Sequence, residues 1–571
     1  MTSQFTIKAC LNNYLLQPFL HPTIVSWVNY ISKLYVRGSL FFNIHLLRLL
    51  ENHLPLPSFQ KEKDLTFFER CLKIGIWSNR SKFPDHELES TYNLYQKYFP
   101  PLPRLKGDNQ AIQYFAGKLQ TSFVNHIKYN FFQRQLNVLR LLISDRKKLK
   151  LLQKMVNNLI PIDLTKFGNL SDEDKEKLSI QINLHKSFLQ NNDPNQIINL
   201  KWIDRNFNRA IEYTYYLQVE LSNNHAKNFS IAPIATVKSH FLVIDTKILY
   251  HLLKDAKLIK NVTKEEFRAD RDFYWSQCFN YQKLSKKPFA YYIETDGVAL
   301  CVHFEKSIKK STPLLINLPL KDQRVIAFDP GRETILHGVE KLPNGEIKEY
   351  KLSRGQYYEE SHINLANHKT KKWNAKIQDI LDELSATTYR TPKIQELLKY
   401  IVVYNKHYER YWDQLADRKY AMNRMDVYIH RNQCMDQFFQ SLQEKDQLEP
   451  IIAYGAAKFN STGIGEQAVP TTFIGKRCQE YYKMVMIDEY KTSQICHQCE
   501  EKLTLLYRDE KGQIKHFGRE IRGLRWCGST KCRKLINRDR NAALNILKIV
   551  TEGRKTNLTR KQPDNKKEDN R

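Results

Sequence analysis

Four of the ten cysteines fall into two pairs, Cys496-x2-Cys499 and Cys527-x4-Cys532. Each pair can present two thiolates from one short turn, and two pairs complete a tetrahedral Zn(II) shell. Four thiolates leave no open coordination position, so the expected metal is structural. The interval 500–526 is long for a ribbon, and Cys-x4-Cys is looser than Cys-x2-Cys. His497 and His516 are substitute ligands should a cysteine not take part. A second set of residues carries harder donors: Asp329, Glu489 and Asp539. Phosphodiester hydrolysis by two Mg(II) ions needs carboxylate oxygens converging from several elements on ions about 3.5–4 Å apart. Singly, each acid has an ordinary explanation; Asp539 in a helix's first turn also complements the helix dipole. As a set they imply metal-assisted hydrolysis. Glu466, in Gly463-Ile464-Gly465-Glu466, competes with Glu489 for the middle position.

The elements that would position these groups are legible nearby. Val325-Ile326-Ala327-Phe328 is continuously apolar, as a buried central strand should be, and ends at Asp329. Strands at 334–341 and 346–352 follow, joined by Pro343-Asn344-Gly345. Strand, hairpin and strand with an acid on the first is the opening of an RNase H-like fold. Apolar runs resume at 451–455 and 484–487, the latter just before Glu489, and a helix is expected over 538–550.

Upstream, residues 1–11 read as an edge strand and 24–54 as a helix. Residues 60–225 read as mostly helical, with separate helices at 110–130 and 132–142. Runs at 289–294 and 298–304 flank Thr295-Asp296-Gly297, a hairpin signal. Asp245 follows an apolar run but precedes a helical pattern, which makes it an N-cap. Residues 356–447 are helical beyond the needs of a crossover; the stripe Tyr404, Tyr408, Tyr411, Trp412, Leu415 is expected to be packing. The tail carries Arg554-Lys555, Arg560-Lys561 and Lys566-Lys567 amid polar residues. It is expected to be disordered, and serves as a nuclear import signal, a phosphate-binding arm or a solvated terminus.

At 571 residues the chain should divide into roughly three or four domains. Lys+Arg 90 against Asp+Glu 61 leaves a net charge of +29, which points to a polyanionic partner, nucleic acid first. The run Arg146-Lys147-Lys148-Leu149-Lys150 is either a solvated helix face or part of a surface that follows a duplex backbone. No signal peptide is expected and no membrane span. The six scattered cysteines fit a reducing, intracellular setting.

The segments Ala327-Phe328-Asp329-Pro330-Gly331, Asp488-Glu489-Tyr490-Lys491-Thr492-Ser493-Gln494-Ile495-Cys496-His497-Gln498-Cys499 and Asn537-Arg538-Asp539-Arg540-Asn541-Ala542-Ala543-Leu544-Asn545-Ile546 closely resemble the RuvC-type nuclease of transposon-encoded TnpB proteins. The chain looks most like their eukaryotic and viral relatives, the Fanzor proteins, and Ile293-Glu294-Thr295-Asp296-Gly297-Val298 resembles the Fanzor hairpin before the nuclease. In the bacterial pattern the middle acid ends the strand corresponding to Ile451–Gly455, which here has no carboxylate; Fanzor proteins place it on the next strand, hence Glu489. The resemblance implies a multidomain α+β protein: a helical recognition domain and a β-rich wedge domain followed by an RNase H-like (RuvC) α/β nuclease domain with an inserted zinc ribbon. The expected boundaries are 1–59 (strand and helix, part of the wedge), 60–225 (recognition), 226–320 (wedge), 321–550 (nuclease, with helical insertion 356–447 and zinc ribbon 490–536) and 551–571 (tail). The implied activity is RNA-guided DNA cleavage beside a short target-adjacent motif. It would use two Mg(II) at Asp329, Glu489 and Asp539, one Zn(II) at the four cysteines, and one transposon-encoded guide RNA per protein, acting on double-stranded DNA in the nucleus. A guide-bound protein that no longer cuts is the alternative. A strand-transfer transposase of RNase H-like fold fits the cysteine-spaced ending poorly.

Overall fold

The computed structural model describes residues 2–60, 65–77, 86–159, 167, 172–190, 197–307, 320, 323–443, 448–456, 468–510, 513–515, 518–553 and 556–558. Glu466, His516 and the paired cations of the tail lie outside them. The chain falls into two compact units, Met1–Ser307 with Thr370–Met422, and Ile308–Lys369 with Asn423–Arg571. Among the described residues no helix is long and apolar enough to cross a membrane.

The first unit combines long helices with one four-stranded antiparallel sheet. Its strands are β1 (Thr2–Cys10), β2 (Leu242–Asp245), β3 (Phe289–Thr295) and β4 (Ala299–Ser307), in the order β1-β4-β3-β2. The N-terminal strand is therefore an edge strand, paired with β4 along its whole length. Asp245 caps the next helix, its Oδ1 accepting the Ile248 N–H at 2.9 Å. The helix Leu20–Glu51 runs through the middle of the apolar core, and Phe42 on it meets Phe59, Phe67, Phe68 and Phe123. The two helices expected at 110–130 and 132–142 are one, Asn109–Leu139. No glycine or proline interrupts 129–133, and Ile127, Phe131 and Val138 are all buried on its inner side. The short helices Lys264–Ala269 and Arg271–Cys278 carry no periodicity long enough to read from sequence. The aromatic stripe is packing: Tyr404, Tyr408 and Trp412 are buried, and the Arg37 guanidinium stacks 4.5 Å from the Tyr408 ring. On the helix Arg146–Asn157, Leu149, Leu152, Met155 and Val156 face inward while Lys147 and Lys150 are exposed.

The second unit holds the acids and cysteines. Strands β5 (Val325–Pro330), β6 (Thr334–Lys341), β7 (Ile347–Ser353), β8 (Ile451–Gly455) and β9 (Met484–Ile487) form one sheet in the order β7-β6-β5-β8-β9. The first three are antiparallel, and β8 and β9 add in parallel to β5. All six β5 residues are buried, because each face of the strand has its own core. Ile326 and Phe328 join Leu336, Leu352, Tyr357, Met435 and Ile474 on one side. Val325 and Ala327 join Ala453, Ile487, Ala543, Ile546 and Val550 on the other. This is the two-residue alternation of a pleated strand. It places Asp329, odd-numbered like Val325 and Ala327, on the side covered by the helix Arg538–Thr551. That side is built from small residues: Ala327 pairs with Ala453 in register, and Ala543 belongs to the same cluster. Gly338 plays the same part on the other face, where a Cβ would overlap the Phe328 ring.

A second small sheet, β10 (Thr504–Arg508), β11 (Ile514–Lys515), β12 (Arg519–Cys527) and β13 (Lys534–Asn537), follows in the order β11-β10-β12-β13. Its hairpins fill the long interval between the cysteine pairs, and β13 runs straight into the helix Arg538–Thr551. Enlarging the alanine layer should force that helix off the sheet. We expect Ala327→Leu to lower stability by about 1–3 kcal/mol, the usual cost of overpacking. Denaturant melts should show this, with Ile326→Val on the opposite face costing about 0.5–1.5 kcal/mol as a comparison.

Candidate active site and metal centre

Asp329 is the penultimate residue of β5, opposite His337 of β6 in register, and is only 7% exposed. Asp539 sits in the first turn of the helix Arg538–Thr551, whose N-cap is Asn537, accepting the Arg540 N–H at 2.9 Å. Arg538 Nε donates to Asp539 Oδ1, also at 2.9 Å. Glu489 lies two residues beyond β9, and its carboxylate folds back over Gly455 at the end of β8. A Cβ on Gly455 would overlap Glu489 Oε1 and stand 2.9 Å from Pro330 Cδ. The empty glycine position is what lets a carboxylate from one strand further out reach the end of β5.

Glu489 and Asp539 both act on Asp329. Burial raises the Asp329 carboxyl well above the usual carboxylate range, and the charges of Glu489 and then Asp539 raise it further, with Arg538 opposing them. Hard oxygens with negative charge in excess are the donors a pair of Mg(II) ions takes, although these three do not bring one oxygen each within 4.8 Å of one another. Asp329, Glu489 and Asp539 would hold them.

A ring of fixed charge beside the acids escaped the sequence reading. Glu349 on β7 accepts from Arg540 Nε at 2.7 Å, forms an ion pair with Lys351 at 2.7 Å and meets His337 Nε2 at 3.2 Å. Partial burial works against its ionisation, yet Lys351 and Arg540 hold it down at about 2. Glu349 is thus committed to cations and ties the first turn of the helix to the sheet. In sequence it is one unremarkable acid in an alternating strand.

The cysteines converge as their spacing implies. Cys496, Cys499, Cys527 and Cys532 place their sulfurs within 4.8 Å of one another, with Cys499–Cys527 at 3.4 Å and Cys496–Cys532 at 4.0 Å. Sulfurs about 2.3 Å from a tetrahedral zinc stand about 3.8 Å apart, so the cluster has the size Zn(II) requires. Burial pushes the Cys527 thiol up to about 12, with the neighbouring Cys499 and Cys496 sulfurs adding to it. A dication would relieve that by binding the thiolates. His497 is not one of the four ligands: its backbone N–H and its Nδ1 both donate to Asn541 Oδ1, at 2.9 and 3.0 Å.

That last contact joins the two centres. Asn541 Nδ2 donates to the carbonyls of Thr492 and Ile495 at 2.9 and 2.7 Å, and Asn545 Nδ2 donates to the same two at 2.8 Å each. Both asparagines are buried. Four residues apart on the helix that carries Asp539, they grip the turn between Glu489 and Cys496. Asp539, Glu489 and the cysteine cluster are therefore braced on one helix.

Residues 471–546 match a family model described as Cas12f1-like, TNB domain. The match spans Glu489, all four cysteines and Asp539. Residues 242–306, which include β2, β3 and most of β4, match a domain of unknown function, DUF8286. No curated protein matches the chain. Among solved structures, the AacC2c1–sgRNA binary complex aligns at 9% identity over 96% of this chain and 89% of that one, with a TM-score of 0.31. The Cas12f1–sgRNA–target DNA complex aligns at 14% identity over 73% and 94%, with a TM-score of 0.20. The Cas12i1 R-loop complex before target DNA cleavage aligns at 10% over 83% and 72%, with a TM-score of 0.18. At these scores the likeness fixes neither fold nor function.

Two measurements probe the site. Asp329 holds its proton more tightly folded than unfolded, so metal-free protein binds more protons when native and loses stability as pH rises above the ordinary aspartate range. In EDTA, Asp329→Asn should melt above wild type, by a margin that widens with pH and closes when Mg(II) is added; a pH-independent margin contradicts this. Separately, Asn541→Ala removes one clamp on the 492–495 carbonyls and frees His497, at about 1–3 kcal/mol for each buried group left unpaired. Zinc transfer to a chromogenic chelator should be faster than from wild type.

Proposed function

We propose that the chain is a metal-dependent, RNA-guided DNA endonuclease of the Fanzor kind, with an RNase H-like nuclease domain and an inserted zinc ribbon. The observation that supports this most is the convergence of Asp329, Glu489 and Asp539 at one end of a mixed sheet, braced against a four-cysteine cluster. The family-model match over 471–546 covers two of those acids and all four cysteines of the cluster. The net charge of +29 and the outward-facing lysines of the helix Arg146–Asn157 suit a polyanionic partner. In this reading the partners are a structured, transposon-encoded guide RNA, one per protein, and double-stranded target DNA beside a short target-adjacent motif, met in the nucleus.

Bound at the three acids, two Mg(II) ions would supply an activated water and positive charge at the leaving oxygen. The chain's own residues set up that chemistry. Asp329 must give up the proton that burial and its acidic neighbours favour. Glu489 is aimed by the clearance over Gly455, and Asp539 is steadied by Arg538. Glu349 keeps Arg540 and Lys351 engaged, so that neither cation neutralises the acids. The cysteine cluster touches no substrate; it positions the segment from Glu489 to Asp539.

The test uses protein purified with its RNA. Asp329→Asn, Glu489→Gln and Asp539→Asn should each bind guided target DNA as wild type does and fail to cut it in Mg(II), while Glu466→Gln should cut nearly normally. Cutting by Glu489→Gln with loss in Glu466→Gln would move the middle acid to Glu466. Binding without cutting by wild type would establish the non-cleaving alternative. Absence of an enriched transcript would remove the guide altogether. Gly455→Ala pushes the Glu489 carboxylate aside without touching its charge, and a displacement of about 1 Å can cost about 100-fold in rate. Single-turnover cleavage should fall on that scale with DNA affinity unchanged.

A further inference from the structure

We propose that His362, Asp426 and His430 form a second metal site, for a transition-metal dication of the imidazole-preferring class that includes Zn(II) and Co(II). It lies apart from the acid trio and the cysteines, and does not depend on the nuclease reading. One ligand atom from each residue lies within 4.8 Å of the others, and among the described residues only the four cysteines form another such set. His362 Nδ1 donates to Asp426 Oδ2 at 2.9 Å, and His430 Nδ1, which donates to the Asp426 backbone carbonyl at 2.9 Å, stands 3.3 Å from Oδ1 of the same residue's carboxylate. The two imidazoles stack with centroids 3.5 Å apart. One nitrogen of each ring and a carboxylate oxygen thus come within reach of a single ion once the stacked rings turn, and the N–O separations of 2.9 and 3.3 Å are close to those around a dication with ligands at about 2.0–2.2 Å. Two nitrogens with one oxygen suit Zn, Co, Ni or Fe(II), whereas Mg(II) and Ca(II) favour oxygen alone.

The backbone supports the convergence. Asp426 and His430 are four apart on the helix Arg418–Gln440 and share a face. His362 comes from the turn after the helix Arg354–Glu360, 64 residues away in sequence, and adopts φ +57°, a conformation glycine takes more easily. A non-glycine residue held there puts its ring beside His430. Access is open: the three side chains are 34%, 34% and 32% exposed, enough for an ion to enter and keep water in the remaining positions. Binding through Nδ1 places each ring's proton on Nε2, gives up the His430 bond to the Asp426 carbonyl and turns the stacked rings. The ion would staple the His362 turn to the Asp426 helix face.

The experiment uses the full-length protein, stripped with EDTA, given one equivalent of Zn(II) for the thiols and held in excess Mg(II) to fill the acid trio. It is then titrated with Co(II). Wild type should take one further equivalent, with weak d–d absorption and no thiolate charge-transfer band, and its melting temperature should rise. His430→Ala and His362→Gln should lose that equivalent or bind it at least about 100-fold more weakly, since even outer-shell changes cost about 10–100-fold. Asp426→Asn should weaken it likewise. A wild type that takes no further equivalent overturns the proposal and leaves two imidazoles sharing a carboxylate. So does uptake by all three variants equal to wild type. If a variant does not fold, the wild-type titration decides alone.

Discussion

Three carboxylates brought to one buried end of a sheet repel each other, and nothing in local secondary structure would keep them there. Asp329 registers that cost directly: its acid is weakened by desolvation and then by Glu489 and Asp539. The rest of the second unit can be understood as the means of holding this arrangement. β5 is sealed on both faces, so Asp329 cannot move toward water without opening two cores at once. The helix of Asp539 lies against β5 across alanines, then is tied to β7 through Arg540 and Glu349. Packing and ion pairing elsewhere carry a local destabilisation that protonation of Asp329, or a cation at the site, would relieve.

Clearance is the second device. Side chains are cut to a methyl or to nothing where approach must be close: Ala327, Ala453 and Ala543 between sheet and helix, and Gly455 beneath Glu489. These are not flexible points. Each is a small residue in a regular element, and each lets a functional group come nearer than a larger neighbour would permit. The asparagines do the reverse. Asn541 and Asn545 spend every amide donor on two carbonyls of the neighbouring turn, converting that turn from an ordinary loop into part of the helix's own framework.

Sequence made the strands and acids readable because they follow simple rules. Val325-Ile326-Ala327-Phe328 before an acid reads as a buried strand, and two closely spaced cysteine pairs read as a metal knuckle. What escaped was whatever depends on a partner distant in sequence. Glu349 looks like any alternating strand residue until Arg540, 191 positions later, closes on it. Asn541 looks like ordinary helix filling until the Thr492 turn arrives. The break expected between 130 and 132 failed for a related reason: propensity alone cannot say whether a long helix continues, but Ile127, Phe131 and Val138, buried against one core, can. The pairing of β1 with β4 crosses nearly three hundred residues and is invisible to periodicity.

The geometry at Gly455 bears on how a site of this type can keep its chemistry while its parts move between elements. Hydrolysis by two ions asks for oxygens at particular points in space, not for a particular strand to supply them. β8 and β9 are parallel neighbours, with Gly455 and Ile487 in register, so their ends point the same way. An acid two residues beyond β9 can therefore reach the space that an acid at the end of β8 would fill, provided β8 ends in a residue without a side chain. The glycine and the displaced glutamate form one feature: either change alone would leave the position empty or overfilled. Under the proposed two-ion reading, that coupling lets the chemistry stand although the strand Ile451–Gly455 carries no carboxylate.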